Sequence, residues 1–453
     1  MNRRSVLTAV GAATGALAGC AGVTGSNESE TDTPGDGSDS STDGTDTPSD
    51  GTGGGSTTDA PDGTDTDSGT DTGTGSQGGS ASLTDAGKQF EGFENLEYWF
   101  TLSNQGSIEA VSEGAYRGSQ SLRLQAGGDD AFAGAFTSFS EPRDFSGKNL
   151  SLAAKVEKPS IAKLSVALLA PDKNNMVRMT RTFPGPDGEW VRSDMGVTDV
   201  RGDPDLSAVQ EVRLVARRRD QDDDTIDLTV DDMRLVDAPE TGYVTLTFDD
   251  THDSHYKTAF PMMEEYGFKG VEGVISDAVY RGDRLDVGMM QEMSKAGWDM
   301  ASHPYVGSKL LTEYSEAKQR SIIEGNKQFL DQKGFEEGAR HFLTPKNMIG
   351  PATKRIVEDV HESLYTFGGM PNGLPKTTSY YNSRITAANN DTIREYIDYA
   401  AEYGQHLVLN HHAIGTGSGQ LPEDDFAALL EYIDGADVEV VTCSDVLAMQ
   451  AQD

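Results

Sequence analysis

The chain has 453 residues, with 37 Lys+Arg against 74 Asp+Glu and a formal net charge of −37. So acidic a balance excludes a nucleic-acid binder, which needs a basic footprint, and a polybasic membrane-surface protein. Only Cys20 and Cys443 carry thiols, which excludes a disulfide scaffold and a multi-cysteine zinc module.

In chain order, residues 1–20 read as a targeting leader. Arg3-Arg4-Ser5-Val6-Leu7 is a twin-arginine pattern ahead of an apolar run from Val6 to Leu17. The run is shorter than the about 20 residues a membrane span requires. It ends in Leu17-Ala18-Gly19-Cys20, which resembles a lipoprotein processing box. That resemblance makes Cys20 the first mature residue and the site of lipidation. The expected location is the extracellular face of the membrane, through a lipid anchor.

Residues 21–83 are a linker rich in Asp, Thr, Gly and Ser, with thirteen acids and no base before residue 81. Nothing apolar offsets its ordering entropy, so a disordered, self-repelling spacer is expected. The rest of the chain still carries a net −26. Such a surface stays hydrated and is similar to surfaces from salt-adapted, halophilic organisms, where salt screens the self-repulsion.

Residues 84–238 alternate apolar and polar side chains in short runs separated by Gly, Pro and Asp. Examples are 120–124, 150–154, 163–168, 211–215 and 226–230. This pattern predicts an antiparallel β-sandwich, jelly-roll-like by the resemblance of its edges. Its edges, Phe90-Glu91-Gly92-Phe93 and Val230-Asp231-Asp232-Met233, resemble carbohydrate-binding jelly rolls. That resemblance implies a structural calcium at Glu91 and Asp232. Tyr98, Trp99 and Trp190 are either sugar-stacking or core aromatics.

From residue 239 to 453 the pattern changes to strands alternating with helices. Strands are expected at 244–248, 270–275, 298–302, 340–343, 406–410 and 438–441. Helices are expected at 256–266, 287–295, 313–332, 352–360, 423–433 and from 444. The alternation predicts a parallel α/β domain, closed or nearly closed as a barrel, with its site at the C-terminal strand ends. All eight histidines lie here, and imidazole serves both proton transfer and metal binding. Three strand exits carry chemistry: Thr247-Phe248-Asp249-Asp250, Ala301-Ser302-His303-Pro304 and Leu409-Asn410-His411-His412. Adjacent carboxylates repel unless a cation or a function offsets the cost.

These exits, with Ala259-Phe260-Pro261 and Gly297-Trp298-Asp299-Met300, resemble the polysaccharide deacetylase family, also called the NodB-homology or carbohydrate esterase family 4 domain. The resemblance implies a distorted (β/α) barrel. It also implies a metal-dependent hydrolase that removes acetyl groups from N- or O-acetylated glycans. By it, Asp249 is the general base, and Asp250 and His303 bind a divalent metal, zinc. His411 is the general acid, with His412 as the alternative one register away. Arg384, in Asn382-Ser383-Arg384-Ile385, steadies a carboxylate or the substrate. Two positions depart from the family pattern. Gly307 stands where the second metal histidine falls, and Thr344 stands where an arginine falls. His252, Asp253 and His255 are candidate substitute ligands. The other reading is a glycan-binding surface lipoprotein with a degenerate, non-catalytic deacetylase domain. The expected partners are an acetylated glycan and, through the lipid, the membrane.

Overall fold

The computed structural model describes residues 86–219, 225–415, 417 and 420–450. The twin-arginine leader, Cys20 and the whole linker lie outside the described residues. Among the described residues, no helix is long and apolar enough to cross a membrane.

The first half pairs in two antiparallel sheets. One runs Ser107–Val111, Ser121–Ala126, Ile226–Asp237, Lys148–Lys158 and Trp190–Met195, with Lys88–Glu91 also on Ile226–Asp237. The other runs Asp199–Arg201, Met176–Phe183, Ala162–Leu169, Val209–Arg218, Ala133–Arg143 and Phe100–Thr101. Alternate residues of a strand share a face. Leu122 and Leu124 of the first sheet therefore meet Leu164, Val166, Val212 and Leu214 of the second in one apolar core. The expected runs fall inside these strands, except that the run 120–124 starts one residue before Ser121–Ala126. Trp99 is buried in this core, Tyr98 is exposed, and Trp190 packs edge-on against Tyr116.

The calcium expectation is corrected here. Asp232 is fully buried, and its carboxylate is held by Arg234 Nε at 2.8 Å and Arg192 Nη1 at 2.9 Å, with Arg117 Nε at 3.5 Å. Glu91 accepts from the Phe93 backbone N–H and the Trp99 indole. Guanidinium groups already supply the positive charge that calcium was expected to bring to Asp232.

In the second half, seven parallel strands close a barrel. They are β1 (Gly242–Asp249), β2 (Val271–Val274), β3 (Asp299–Ser302), β4 (His341–Leu343), β5 (Ser363–Phe367), β6 (Asn382–Thr386) and β7 (Gln405–His411). Closure comes from β7 pairing back onto β1, His406–His411 against Tyr243–Phe248. Helices α1 (Phe260–Glu264), α2 (Val287–Lys295), α3 (Glu316–Gln332), α4 (Pro351–Val360), α5 (Asp391–Tyr403), α6 (Glu423–Gly435) and α7 (Cys443–Gln450) complete it. The expected strands and helices are present, with three differences. The helix expected at 256–266 is a widened turn at His255–Ala259 followed by the short α1. The helix expected from Glu313 starts at Glu316. Strands β5 and β6 and helix α5 went unpredicted. β6 reads Asn-Ser-Arg-Ile-Thr, which has no apolar alternation, yet its first three residues are buried with their polar atoms bonded: Arg384 to Asp249, Asn382 to Leu364 O, and Ser383 to Met370 O. Helix α5 did carry end signals: the Asn390 side chain caps Ile393 N, and Gly404 ends the helix in the left-handed conformation at φ +58°.

The sheets and the barrel share a polar seam. Asn149 donates to Leu374 O and Gly404 O, Ser151 bonds Thr377, and Gln405 accepts from Val197 N.

His361 and His341 are among the histidines buried away from the strand-end cleft. His361 donates from Nδ1 to Ala339 O at 3.0 Å, and His341 lies between Ser363 and Ser444. Burial pushes both down to about 3. Between that value and the ordinary 6.5, the unfolded chain takes up protons that the folded chain refuses, so stability falls as pH falls through this window. Urea titrations from pH 7 to pH 4 are expected to show that loss. His361→Asn, which keeps the donor to Ala339 O, should reduce the slope by about 1.4 kcal/mol per pH unit; an unchanged slope refutes the assignment.

Candidate active site

The site sits at the C-terminal ends of the parallel strands, where such barrels leave side chains uncommitted to the core. Inward and outward residues alternate along β1. Phe248 points out, against Trp298 and Phe426. Asp249 points in and is nearly fully buried. Arg384 of β6, itself buried, donates from Nη1 to both carboxylate oxygens of Asp249, at 2.9 and 3.2 Å. Burial would raise the Asp249 pKa. Arg384, followed by His303, outweighs it and leaves the carboxyl below its ordinary value. Gly273 of β2 makes room for this pair: a Cβ there would lie 2.8 Å from Asp249 Oδ1.

The chain leaves β1 through two left-handed residues, Asp250 at φ +76° and Thr251 at φ +61°. Non-glycine residues adopt this conformation at a cost, and functional sites are where it collects. The turn brings Asp250 back over the strand ends, half-exposed, with Oδ1 3.4 Å from His303 Nε2. His303 Nε2 is also 3.9 Å from Asp249 Oδ2. The His303 hydrogen bond, against some burial, holds Asp250 well below the carboxylate range. Burial works against charging His303, but Asp249 and then Asp250 raise it above its ordinary value. His303 Nδ1 donates to Leu343 O at 2.8 Å, which turns Nε2 toward the aspartates. Asn326 of α3 bridges Val274 O and the Ser302 hydroxyl and so fixes the two strand ends beside His303.

The late histidines exchange places. His411 pairs in register with Phe248 and shares its outward face. It stacks on Phe248 at 4.8 Å, meets Phe426 edge-on and is buried, with its pKa pushed down to about 3 by burial. The structure therefore does not bring His411 to the cleft. One residue on, His412 lines it and is exposed, and its charge acts on both Asp249 and Asp250. A strand reverses faces with every residue, so this correction is a single step in register.

The three candidate substitute ligands do not line the cleft either. His252 bonds Arg284 and is pushed down to about 4, by burial first and then by that guanidinium. Asp253 pairs with Lys257. His255 is fully buried between Glu272 Oε2 at 2.8 Å and His412 O at 3.2 Å. Among the described residues, no three His, Cys, Asp or Glu side chains gather closely enough to hold a metal ion. Asp250 and His303 are thus two donors where a catalytic zinc takes three protein ligands. This donor set does not fit a resident zinc centre.

The cleft has a volume of about 240 Å³ and is lined by Asp249, Asp250, His303, Tyr305, Asn410 and His412, among others. Tyr305 is 55% exposed at this cleft. Lys346 and Asn347, also in the lining, are left-handed at φ +54° and +59°. Sequence reasoning passed over Tyr305, Asn347 and Asn410. Asn410 had a signal, since it is two residues from His412 and therefore on its face.

Residues 236–362 match the family model for polysaccharide deacetylase. No curated protein sequence matches the chain. Among solved structures, the chain is similar to a family 4 carbohydrate esterase from Streptomyces lividans in complex with acetate, at 15% identity and a TM-score of 0.30, over 46% of this chain and 89% of that one. It is also similar to the family 11 carbohydrate-binding module of a cellulosomal cellulase of Clostridium thermocellum, at 17% identity and a TM-score of 0.27, over 34% of this chain and 95% of that one. An exo-beta-agarase aligns at 14% identity and a TM-score of 0.27, over 34% of this chain; the chain spans 25% of that enzyme's length.

The Asp249–Arg384 pair makes a stability prediction that is independent of any activity. Arg384→Met leaves a buried carboxylate without its cation and should cost about 3–5 kcal/mol. Asp249→Asn on top of it should restore most of that loss. Chemical denaturation of the two single variants and the double variant measures the coupling; additive losses would refute the pairing.

Proposed function

We propose that the barrel is a polysaccharide deacetylase-like hydrolase that removes acetyl groups from N- or O-acetylated glycans. The observation that carries this reading is one cleft lined by Asp249, Asp250, His303 and His412, with the buried Arg384 bonded to Asp249, within a chain whose residues 236–362 match that family. Asp249 takes the proton of the attacking water, and Arg384 fixes the carboxylate so that a lone pair faces the cleft. His412 protonates the departing amine or alcohol. Tyr305 offers an aromatic face to a sugar ring at the cleft. Asp250 and His303 fix each other beside the reacting carbonyl.

The two antiparallel sheets are proposed as a carbohydrate-binding β-sandwich that holds the same polymer. The leader would export the chain, and lipid on Cys20 would tether it to the outer face of the membrane, with the acidic linker as spacer.

Acetate release from N-acetylated and O-acetylated oligosaccharides tests the reading. Asp249→Asn and His412→Ala are each expected to lower the rate by about 10²-fold or more. His411→Gln should chiefly lower stability. If the parent releases no acetate from either class of substrate, the chain is a glycan binder. If His411→Gln abolishes the rate while His412→Ala spares it, the assignment of the acid is wrong.

A further inference from the structure

The seam between the sheets and the barrel buries two cations, Arg181 and Lys376, near one carboxylate, Asp194, and the Arg181 guanidinium lies over the Phe183 ring at 5.4 Å. Arg181, on the strand Met176–Phe183, is 1% exposed. Its Nη2 donates to Tyr381 O. Its Nε and Nη1 find no partner among the described residues. Lys376 is 2% exposed, and its Nζ likewise has no partner among them. Both cations enclose the same segment, 376–381, one from within it and one bonded to its last residue. The Tyr381 hydroxyl, also buried, lacks a partner among the described residues. The neighbouring carboxylate, Asp194, is already engaged: it accepts from Thr377 N at 3.1 Å and from the Thr377 hydroxyl at 2.5 Å.

The two cations act on each other. Burial pushes Lys376 down to about 7, and the charge of Arg181 pushes in the same direction, against Asp194. Burial likewise pushes Arg181 down to about 10, opposed by Asp194. His406 adds no third cation: burial, and then the charge of Lys376, push it well below its ordinary value, while its Nε2 donates to the Thr245 hydroxyl, which donates onward to Val441 O.

Buried donors are paired in folded proteins, and an unpaired buried charge is among the costliest groups to keep. Here unpartnered donor atoms belong to two cations and one phenol in or beside one segment, and a single carboxylate, Asp194, acts on both cations, in a chain whose net charge is −37. The excess of acid elsewhere makes this local excess of base a feature to be explained. We propose that Arg181 and Lys376 hold a small monovalent anion, a halide, at the seam between the antiparallel sheets and the barrel. The anion accepts from Lys376 Nζ and from the free N–H groups of Arg181. It binds only where sheet and barrel are docked, so it stabilises the folded chain by mass action.

The test uses the full chain. Thermal unfolding is followed in sodium chloride and in sodium gluconate at equal ionic strength, because gluconate screens charge but is too bulky for an enclosed site. The parent is expected to unfold roughly 2–5 °C higher in chloride. Lys376→Met, which keeps the length of the side chain, should abolish that difference. Crystals of the parent grown in bromide provide a second measurement that needs no variant, with an anomalous peak expected in contact with Lys376 Nζ and Arg181. Equal midpoints in the two salts for the parent, a difference that survives Lys376→Met, or a water at the bromide position would each overturn the proposal.

Discussion

The contact on which the rest of the site depends is the buried ion pair between Asp249 and Arg384. A carboxylate inside a barrel is untenable alone, because burial favours its neutral form. The guanidinium reverses that preference and fixes the geometry through one nitrogen shared by two oxygens. Arg384 is held in turn by Thr344 O at 3.3 Å and Asn347 Oδ1 at 3.4 Å. The strained loop at Lys346 and Asn347 thus helps to aim the arginine that keeps the Asp249 carboxyl charged. Gly273 completes the arrangement by having no side chain where the carboxylate lies.

This pair also bears on Thr344, which the resemblance marks as a departure. The guanidinium at Asp249 comes from β6. The Thr344 carbonyl is one of its acceptors. A motif read along the chain records which residue type stands at a position. A barrel cares only that the charge arrives at a point in space, and adjacent strand ends can supply it from different places in the sequence.

Much of the barrel was legible because its strands are buried on both faces and its helices carry periodic apolar stripes. Val244-Thr245-Leu246-Thr247-Phe248 and the span of α2 needed no tertiary information. β6 was hidden for a physical reason: its buried side chains are polar and bonded, Arg384 to Asp249 and Ser383 to Met370 O, so it lacks the apolar signal that marks a strand. His411 and His412 show a different limit. Both leave the same strand, and only the register against β1 decides which faces the cleft. That register pairs His411 with Phe248, a fact about two segments far apart in sequence. Glu91 and Asp232 show a third limit. Acids at the edges of a sheet pattern suggest a cation, but the sequence does not reveal that Arg117, Arg192 and Arg234 converge on one of them.

The position of Gly307 decides how far the site departs from a three-ligand metal centre. A Cβ there would meet only the Tyr314 hydroxyl, at 3.8 Å, so space for a side chain exists. The backbone is the obstacle. Gly307 is left-handed at φ +61°, a conformation costing an ordinary residue roughly 1–2 kcal/mol. Its carbonyl is also held: Lys346 Nζ donates to Gly307 O at 2.8 Å and to Lys309 O at 3.1 Å. The loop after His303 is therefore shaped around a glycine and tied down by a lysine from the loop after β4. A histidine placed at 307 would have to bear the left-handed strain or break the lysine's hold. The missing third donor follows from the conformation of two loops at the cleft, which is a larger difference than one exchanged side chain.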